Sequence, residues 1–263
     1  MMTPAAKSQK LPVSCFIIAL NEADRIGRAI GSVADWVEEV VVIDSGSTDD
    51  TVAVAERLGA RVVYNAWPGF GQQKRFGEDQ CRSDWLLNID ADEVVTPLLK
   101  IAILNLFQDG EPKLSIYGMA VNIVYPGWHQ PRRWARDHYC LRLYDRRKTR
   151  FKDSTLYDSV ARNGLTYGDL PGGLDHHSVR SLDDLIAKSD ARARYNAAHS
   201  KAKSDLELKI RLVTEFPVNF LKYYIVRTHF SGGLMGFQFA LITAFYRWVR
   251  IVRMKQAQDA GRR

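Results

Sequence analysis

Apolar and polar residues alternate in two ways over the first hundred positions. Short, nearly continuous apolar runs predict β-strands, and the segments between them carry helical spacing or helix-opening signals. Thr96-Pro97 is typical of a helix with Thr as its N-cap and Pro in its first turn. Alternating strands and helices indicate an α/β fold with an open, mostly parallel sheet flanked by helices. The strands are expected at 13–20, 39–43, 60–64 and 85–89, and one intervening helix at 74–81.

The alternation weakens after residue 110. Extended runs follow at 116–124 and 139–144, then a glycine-rich passage through Gly173, and mostly helical spacing over 182–212. The expected organisation is therefore an α/β domain followed by helices. Its four segments are an N-terminal tail (1–12), the α/β domain (13–180), a helical extension (181–215) and a basic amphipathic tail (216–263).

The tail predicts a helix with one apolar face. At 100° per residue this face spans an arc of about 140°, and the basic side chains lie outside it. Such a helix suits a membrane interface, although packing on the α/β domain or on a second subunit would give the same periodicity. The uncharged stretch 229–246 is short and broken for a spanning helix. The face comprises Phe237, Ala240, Leu241, Ala244, Phe245, Trp248, Ile251 and Val252, and the basic residues are Arg247, Arg250, Arg253 and Lys255.

Positive charge is concentrated rather than spread along the chain. The formal net charge is +7, and residues 201–263 alone hold 12 Lys and Arg against 4 Asp and Glu. A second basic island lies between Arg132 and Arg150. Local positive surfaces imply anionic partners, namely nucleic acid, phospholipid or a phosphorylated substrate.

Cysteine usage and the N-terminal sequence indicate the compartment. Three widely spaced cysteines suggest neither a disulfide framework nor a structural zinc site. The first apolar run is followed by Asn-Glu-Ala-Asp-Arg rather than by a small-residue cleavage site. We therefore expect a reducing, cytoplasmic environment.

Polar or acidic residues follow three of the predicted strands. Asn21-Glu22 follows the first strand, the segment 44–49 follows the second, and Asp90-Ala91-Asp92-Glu93 follows the fourth. Ligands of open α/β sheets bind outside the carboxyl ends of the strands, where carboxylates can hold a divalent cation against phosphate oxygens. The alternative is that the last acids merely cap the next helix.

The turn after the second strand suits a nucleotide. The Asp44 carboxylate can accept a hydrogen bond from the imide of a pyrimidine base, and Ser45 and Gly46 are small enough for close approach. The alternative is an Asx-turn that leads into a capped helix. Neither G-x-G-x-x-G nor G-K-[ST] is present, which disfavours dinucleotide-binding and P-loop sites.

These motifs resemble those of the family 2 glycosyltransferases, which have the nucleotide-sugar-binding GT-A fold. The likeness is greatest to bacterial β-glucosyltransferases of lipopolysaccharide inner-core assembly. It extends more loosely through Leu141–Tyr144, His176-His177-Ser178 and the tail. The matching segments are Ile18-Ala19-Leu20-Asn21-Glu22, Val42-Ile43-Asp44-Ser45-Gly46-Ser47-Thr48-Asp49 and Asn88-Ile89-Asp90-Ala91-Asp92-Glu93.

The resemblance implies a role for each residue of these motifs. Asn21 and Glu22 would line the nucleotide pocket, and Asp44 would hold the base beside Ser45 and Gly46. Asp90 would contact the ribose or the sugar. Asp92 would bind Mg²⁺ or Mn²⁺ on the diphosphate, where the cation acts as a Lewis acid on the leaving group.

A glycosyltransferase that inverts the configuration at the anomeric carbon needs a carboxylate that takes the proton of the acceptor hydroxyl. The resemblance matches this base to Tyr157-Asp158, where related enzymes have a His-Glu pair. Asp158 is therefore the predicted base and Asp153 its rival, a solvent-facing aspartate being the alternative. His176 is a further candidate for the metal or a pyrophosphate oxygen, unless it is only a packed or surface histidine.

The basic island supplies a candidate acceptor surface, because guanidinium groups bind phosphate in a bidentate manner and aromatic faces stack on sugars. A solvated basic loop is the alternative. The expected partners are a nucleotide-sugar donor, a lipid-linked or lipopolysaccharide acceptor, and an anionic membrane surface. The candidate acceptor residues are Arg132, Arg133, Trp134 and Arg142, with Arg136 in the same island.

The sequence thus predicts a metal-dependent inverting hexosyltransferase, attached peripherally to the cytoplasmic side of the inner membrane. A variant of this hypothesis has polyprenyl phosphate or another envelope glycan as the acceptor. A basic nucleic-acid-binding protein would explain the charge, but it leaves the acidic strand ends without a role. A nucleotidylyltransferase is disfavoured because no glycine- and arginine-rich loop follows the first strand.

Overall fold

The computed structural model describes residues 10–135, 137–155, 158–200 and 203–260. These residues form two compact units. The first contains the described residues up to Asn122 together with His138–His176, and the second contains Ile123–Asp137 together with the described residues from His177 onward. The predicted N-terminal tail up to residue 9, Arg136 of the basic island and Tyr157 of the predicted base motif lie outside the described residues.

The first unit is built on one eight-stranded sheet. The strand order is β3-β2-β1-β4-β7-β6-β8-β5. All four predicted strands are present, and the two later extended runs form β6 and β7. The strands are β1 (Leu11–Ala19), β2 (Val37–Asp44), β3 (Arg61–Tyr64), β4 (Trp85–Asp90), β5 (Glu93–Val95), β6 (Ile116–Ile123), β7 (His138–Asp145) and β8 (Gly168–His176).

Only half of this sheet is parallel. The pairs β2·β3, β1·β2 and β1·β4 are parallel, whereas β4·β7, β6·β7 and β5·β8 are antiparallel. The predicted mostly parallel sheet is therefore a mixed α/β sheet. The glycine-rich passage contains β8, which pairs with the three-residue β5, and the sequence pattern identified neither strand.

Four helices accompany the parallel strands and bury both faces of the sheet. Successive residues of β1 show this, because Cys15 and Ile17 belong to one core cluster while Phe16 belongs to another. Burial on both faces explains the continuous apolar runs of the strands. The helices are α1 (Ile26–Gly31), α2 (Thr51–Arg57), α3 (Phe70–Gln80) and α4 (Pro97–Leu106).

Two of these helices matter for the site. α3 begins four residues before the predicted helix at 74–81, and Gly77 lets it lie close to β1, since a Cβ there would be 2.7 Å from Phe16 Cδ2. α4 has the predicted cap, with the Thr96 hydroxyl accepting a hydrogen bond from the Leu99 amide at 3.3 Å. The close approach of α3 to the sheet places Lys74 near the carboxyl end of β4.

The second unit is helical. It contains α5 (Leu182–His199), α6 (Asp205–Leu221) and α7 (Gly233–Ala260). Ser181 and Ser204 cap the first two through hydrogen bonds from the amides of Asp184 and Glu207. A π-helical turn, Lys222–Val226, and a 3-10 turn, His229–Gly232, connect α6 to α7. No helix in the described part of the chain combines the length and the apolar character needed to cross a bilayer.

The predicted apolar face of α7 is partly buried within the protein, whereas we expected it to lie at a membrane interface. Ala240, Ala244 and Ile251 are buried, and Ile251 packs with Leu208 of α6. Part of the face is therefore core of the second unit, where it packs on α6, a partner that the sequence analysis did not consider. The basic residues are also engaged, since Arg250 pairs with Glu215 at 2.9 Å, Arg253 with Asp190 at 2.6 Å and Lys255 with Asp205 at 3.1 Å.

Candidate active site

The carboxyl ends of β1, β2 and β4 meet at one edge of the sheet. β1 lies between the other two strands, and its last residues Ile18 and Ala19 are in register with Asp90 and Asp44. In the order β3-β2-β1-β4, chain connections diverge between β1 and β4, which is the point where open α/β sheets form a ligand crevice. The expected meeting of the three polar turns is therefore present.

The turns after β1 and β2 are joined by hydrogen bonds. The Asn21 amide donates to Ser47 Oγ at 2.9 Å, and the Asn21 side-chain oxygen accepts from the Thr48 amide at 2.8 Å. The Glu22 amide donates to Thr51 Oγ1 at 2.7 Å. Asn21 has a φ of 55°, a left-handed conformation that asparagine tolerates better than most residues. These contacts hold the two predicted nucleotide-binding segments together.

Asp44 forms an Asx-turn, which was the alternative interpretation of this segment. Its Oδ2 accepts hydrogen bonds from the amides of Gly46 at 2.8 Å and Ser47 at 2.9 Å. Gly46 has a φ of 99°, which favours glycine at this position. Ser45 Oγ accepts from Gln73 Nε2 of α3 at 3.0 Å. The carboxylate is thus oriented by its own turn, and contact with a base stays a prediction.

Asp90 lies between two cationic side chains. Arg142 Nη2 of β7 is 2.9 Å from its Oδ2, and Lys74 Nζ of α3 is 2.9 Å from its Oδ1. Burial opposes ionisation of Asp90, but the charges of Arg142 and Lys74 outweigh it and hold its pKa well below the usual range. Asp90 is therefore an anion at the sheet edge.

Arg142 is a buried partner of the strand-end acids. It also approaches Glu93 Oε1 at 3.3 Å and donates to the Asn88 side-chain oxygen. Burial raises the pKa of Glu93, with the Arg142 charge opposing and the Asp90 charge adding to the rise. The sequence grouped Arg142 with an exposed basic surface. Its position on a buried β7 corrects that grouping, because its guanidinium donors already face the acids of β4 and β5.

Lys74 joins Asp90 to the predicted base. Its side chain is fully buried, and its Nζ is 2.6 Å from Asp158 Oδ2 and 2.9 Å from Asp90 Oδ1. The structure therefore brings Asp158 to the same edge as Asp90. Asp158 and its rival Asp153 are both exposed, so the ion pair with Lys74, not burial, distinguishes Asp158. Sequence reasoning missed Lys74. Its only signal was a charged residue on the inner face of a short helix, which periodicity alone does not distinguish from a solvent-facing lysine.

Asp92 pairs with the candidate histidine. His176 Nε2 at the end of β8 is 3.4 Å from Asp92 Oδ1, and Arg25 Nη1 is 3.5 Å from Asp92 Oδ2. Burial disfavours charge on both Asp92 and His176. The contact between them outweighs it, so the pKa of Asp92 is lowered and that of His176 is raised. His176 reaches Asp92 because β8 pairs with β5, where it is in register with Glu93.

Asp92 and His176 are described residues that could together hold a divalent cation shared with a substrate. No group of three or more potential metal-ligating side chains occurs among the described residues. One carboxylate and one imidazole are nevertheless a sufficient protein contribution where diphosphate oxygens and water complete the coordination shell. His176 Nδ1 is buried and has no hydrogen-bond partner among the described residues.

The remaining predicted acceptor residues belong to the second unit. Arg132 is buried and forms a bidentate pair with Asp137, at 2.9 and 2.7 Å. Its guanidinium is therefore structural rather than part of an open surface, which corrects the expectation. Arg133 and Trp134 are exposed, and the Arg133 guanidinium lies 4.8 Å from the Trp134 ring centroid. These two residues keep the predicted combination of positive charge and an aromatic face.

Comparisons with known proteins identify the family of this chain. Residues 14–165 match Glycosyl transferase family 2. An uncharacterised glycosyltransferase of Rickettsia felis is 36% identical over 93% of this chain and 90% of its own length. The lipopolysaccharide core biosynthesis glycosyltransferase LpsC of Rhizobium meliloti is 28% identical over 94% of this chain and 93% of its own length.

Solved structures are more distant. Glucosyl-3-phosphoglycerate synthase from Mycobacterium tuberculosis, crystallised with Mn²⁺ and UDP-glucose, is 22% identical over 70% of this chain and 78% of its own, with a TM-score of 0.43. The family match covers more than half of the chain, and the Rickettsia relative spans nearly all of it. The chain is a glycosyltransferase and belongs to glycosyl transferase family 2.

Proposed function

We propose that this enzyme transfers a hexose, with glucose expected, from a UDP-sugar to a lipopolysaccharide core acceptor, inverting the configuration at the anomeric carbon. One observation carries the proposal: the candidate base Asp158 and the donor-side Asp90 both lie within 2.9 Å of Lys74 Nζ. A single displacement needs a base beside the donor sugar, and this contact supports such a geometry.

The joined turns after β1 and β2 are the proposed nucleotide site. Asn21, Glu22 and the segment Asp44-Ser45-Gly46 would line it, with the Asp44 carboxylate accepting from the base. Asp90 would accept hydrogen bonds from ribose or sugar hydroxyls. Its ionised state supports this role, because a carboxylate accepts hydrogen bonds at both oxygens.

Asp92 and His176 are the proposed protein ligands of Mg²⁺ or Mn²⁺. When bound, the cation would act as a Lewis acid on the diphosphate, which gains negative charge as it leaves. The Asp92–His176 distance of 3.4 Å supports a shared ligand. Deprotonated His176 is required for this, since a protonated imidazole has no lone pair to donate.

The proposed transfer is one displacement without a covalent sugar intermediate. Asp158 takes the proton of the acceptor hydroxyl, whose oxygen forms the new bond to the anomeric carbon. The bond from that carbon to the diphosphate oxygen breaks, and UDP leaves with the bonding electron pair. Lys74 would hold the Asp158 carboxylate in place through their ion pair.

The proposed acceptor and the proposed membrane location are separate parts of this hypothesis. The relative LpsC is named for lipopolysaccharide core biosynthesis, and Arg133 with Trp134 offers charge and an aromatic face for a phosphorylated sugar. We propose that residues 13–180 carry catalysis. Residues 216–263 would attach the enzyme peripherally to the cytoplasmic face of the inner membrane.

The test is a donor and acceptor panel. Purified full-length protein is incubated with UDP-, GDP- and ADP-sugars, with Mg²⁺ or Mn²⁺, and with truncated lipopolysaccharide core or polyprenyl phosphate. Release of UDP and a β-linked product on the core acceptor is expected. Transfer only to polyprenyl phosphate, or only from another nucleotide, would contradict the corresponding part of the proposal.

A further inference from the structure

α6 presents apolar side chains to solvent rather than to the protein. Along its outer face and the π-helical turn that follows, Val213, Val218, Leu221, Ile225 and Val226 are all exposed, Val226 by 75%. Val218, Leu221 and Ile225 are three and four residues apart, which places them on one side of the helix, and Val226 follows Ile225 directly. Exposed apolar residues scattered singly need no explanation, whereas a contiguous row of them marks an interaction surface.

The start of α7 extends this surface. Leu234, Phe237 and Leu241 follow one another at helical spacing and are exposed, Leu234 by 74%. The Phe237 ring packs edge-on against Phe220 of α6 at 5.7 Å and against Tyr224 at 5.9 Å. α6 and α7 form a helical hairpin. These aromatic contacts join the two exposed rows at the end of the hairpin where α6 connects to α7.

The loop that carries Arg133 and Trp134 is fastened to the same end. Thr228 Oγ1 donates to the Trp134 carbonyl at 3.0 Å, and Ser231 Oγ donates to the Arg133 carbonyl at 2.6 Å. The Trp134 ring is 59% exposed and lies 6.2 Å from the ring of Phe230. We call Ile225, Val226, Leu234 and Trp134, with the flanking Arg133 and Lys222, the hairpin-end surface.

The helical segment that carries most of this surface has charges of one sign. The sequence contains no Asp or Glu between residues 216 and 258. Lys222 is exposed beside Ile225, and the Arg227 guanidinium lies over the Tyr223 ring at 5.2 Å. Apolar residues, aromatic rings and cations without acids are the combination that binds the interface of an anionic bilayer.

We propose that the hairpin-end surface inserts into the headgroup region of an anionic phospholipid membrane. A second copy of this chain fits less well, because a symmetric contact of this surface with itself would set the cations of one copy against those of the other without acids to neutralise them. The proposal rests on the membrane attachment proposed above, and it assigns that attachment to the end of the hairpin. Arg250, Arg253 and Lys255, which pair within the protein, are not part of it.

The test compares three forms of the full-length protein in vesicle sedimentation. One form carries Ile225→Ser, Val226→Ser and Leu234→Ser, and its matched control carries Leu58→Ser, Leu98→Ser and Ile101→Ser, three exposed apolar residues of the first unit. Circular dichroism and thermal unfolding establish that each form is folded. Vesicles contain either phosphatidylglycerol with phosphatidylcholine or phosphatidylcholine alone.

We expect the wild type and the control to sediment with anionic vesicles and the hairpin variant to bind at least tenfold more weakly. Lys222→Gln with Arg133→Gln should weaken binding to anionic vesicles only. Equal binding of the hairpin variant and the wild type overturns the assignment while leaving membrane attachment in place. A wild type that binds no vesicles overturns both proposals. A wild-type dimer in lipid-free ultracentrifugation that the hairpin variant converts to a monomer identifies a subunit interface instead.

Discussion

Lys74 Nζ lies 2.6 Å from Oδ2 of Asp158, although 84 positions separate the two residues in the sequence. Lys74 is fully buried at the start of α3, and its second carboxylate partner is Asp90 at the end of β4. One ammonium group thus neutralises two acids that would repel each other. The arrangement holds the two acids close together at the edge of the sheet.

Asp158→Asn should reduce transfer while leaving donor binding nearly unchanged. The amide keeps the shape of the side chain but cannot accept the hydroxyl proton, and a general base contributes about 10²–10⁴-fold in rate. Turnover and UDP-sugar affinity are measured on the same preparation. Asp153→Asn is the control and should retain activity. If Asp153→Asn is inactive and Asp158→Asn is active, the base is Asp153.

Lys74→Met should lower stability most at neutral pH. The pKa of Asp90 is depressed in the folded protein, so its contribution to stability is present above the usual aspartate pKa and is lost as the pH falls. Removing one partner of a buried ion pair costs about 3–5 kcal/mol, with the lower end expected because Asp158 is partly exposed.

Urea unfolding at pH 7 and pH 3 measures the difference in stability between Lys74→Met and the wild type. This difference should narrow at pH 3, which is below the usual aspartate pKa, because the Asp90 contribution is being lost there. Lys74→Arg retains the charge and is expected to lose less stability at pH 7. An equal loss at both pH values would mean that packing of the lysine stem, not its charge, accounts for the effect.

Mn²⁺ binding should strengthen as the pH rises from 6 to 8. Burial lowers the pKa of His176, but the hydrogen bond and charge of Asp92 raise it overall, so a proton occupies the imidazole at the lower pH. A metal must displace that proton. Calorimetric titration of Mn²⁺ with UDP present measures the affinity.

Variants of the two proposed ligands complete this test. Asp92→Ala should abolish cation-dependent donor binding, and EDTA should have the same effect on the wild type. His176→Gln should weaken Mn²⁺ binding and flatten its pH dependence, because the titrating ligand is gone. Full donor binding in Asp92→Ala or in excess EDTA would remove the cation from the proposed mechanism.

Asp137→Asn should destabilise the second unit. Arg132 and Asp137 form a buried bidentate pair, and the loss of one charge leaves the other buried without compensation, at a cost of about 3–5 kcal/mol. Thermal unfolding measures the effect. Arg133→Gln, one position away and exposed, should be nearly neutral. A neutral Asp137→Asn would mean that Arg132 finds solvent or another acceptor.

The parallel half of the sheet and the family could both be recognised from the sequence alone. The strand-forming runs are apolar because both faces of β1 are buried, and this pattern is local enough to be recognised without a structure. The sequence also predicted that the three strand-end motifs meet, since parallel strands bring their carboxyl ends to one edge of the sheet. Thr96-Pro97 likewise identified the start of α4 from two neighbouring residues.

The pairing of charged side chains depends on how distant segments pack, so it could not be recognised before the structure was known. Lys74, Arg142 and Arg132 look alike in the sequence, yet each is buried against an acid that a distant element or a turn supplies. Burial along α7 could not be predicted either. Ala240 is buried and Phe237 is exposed, although both belong to one predicted face. Periodicity reports which residues share a side of a helix. What covers that side depends on packing between segments far apart in the chain, and local sequence does not encode that packing.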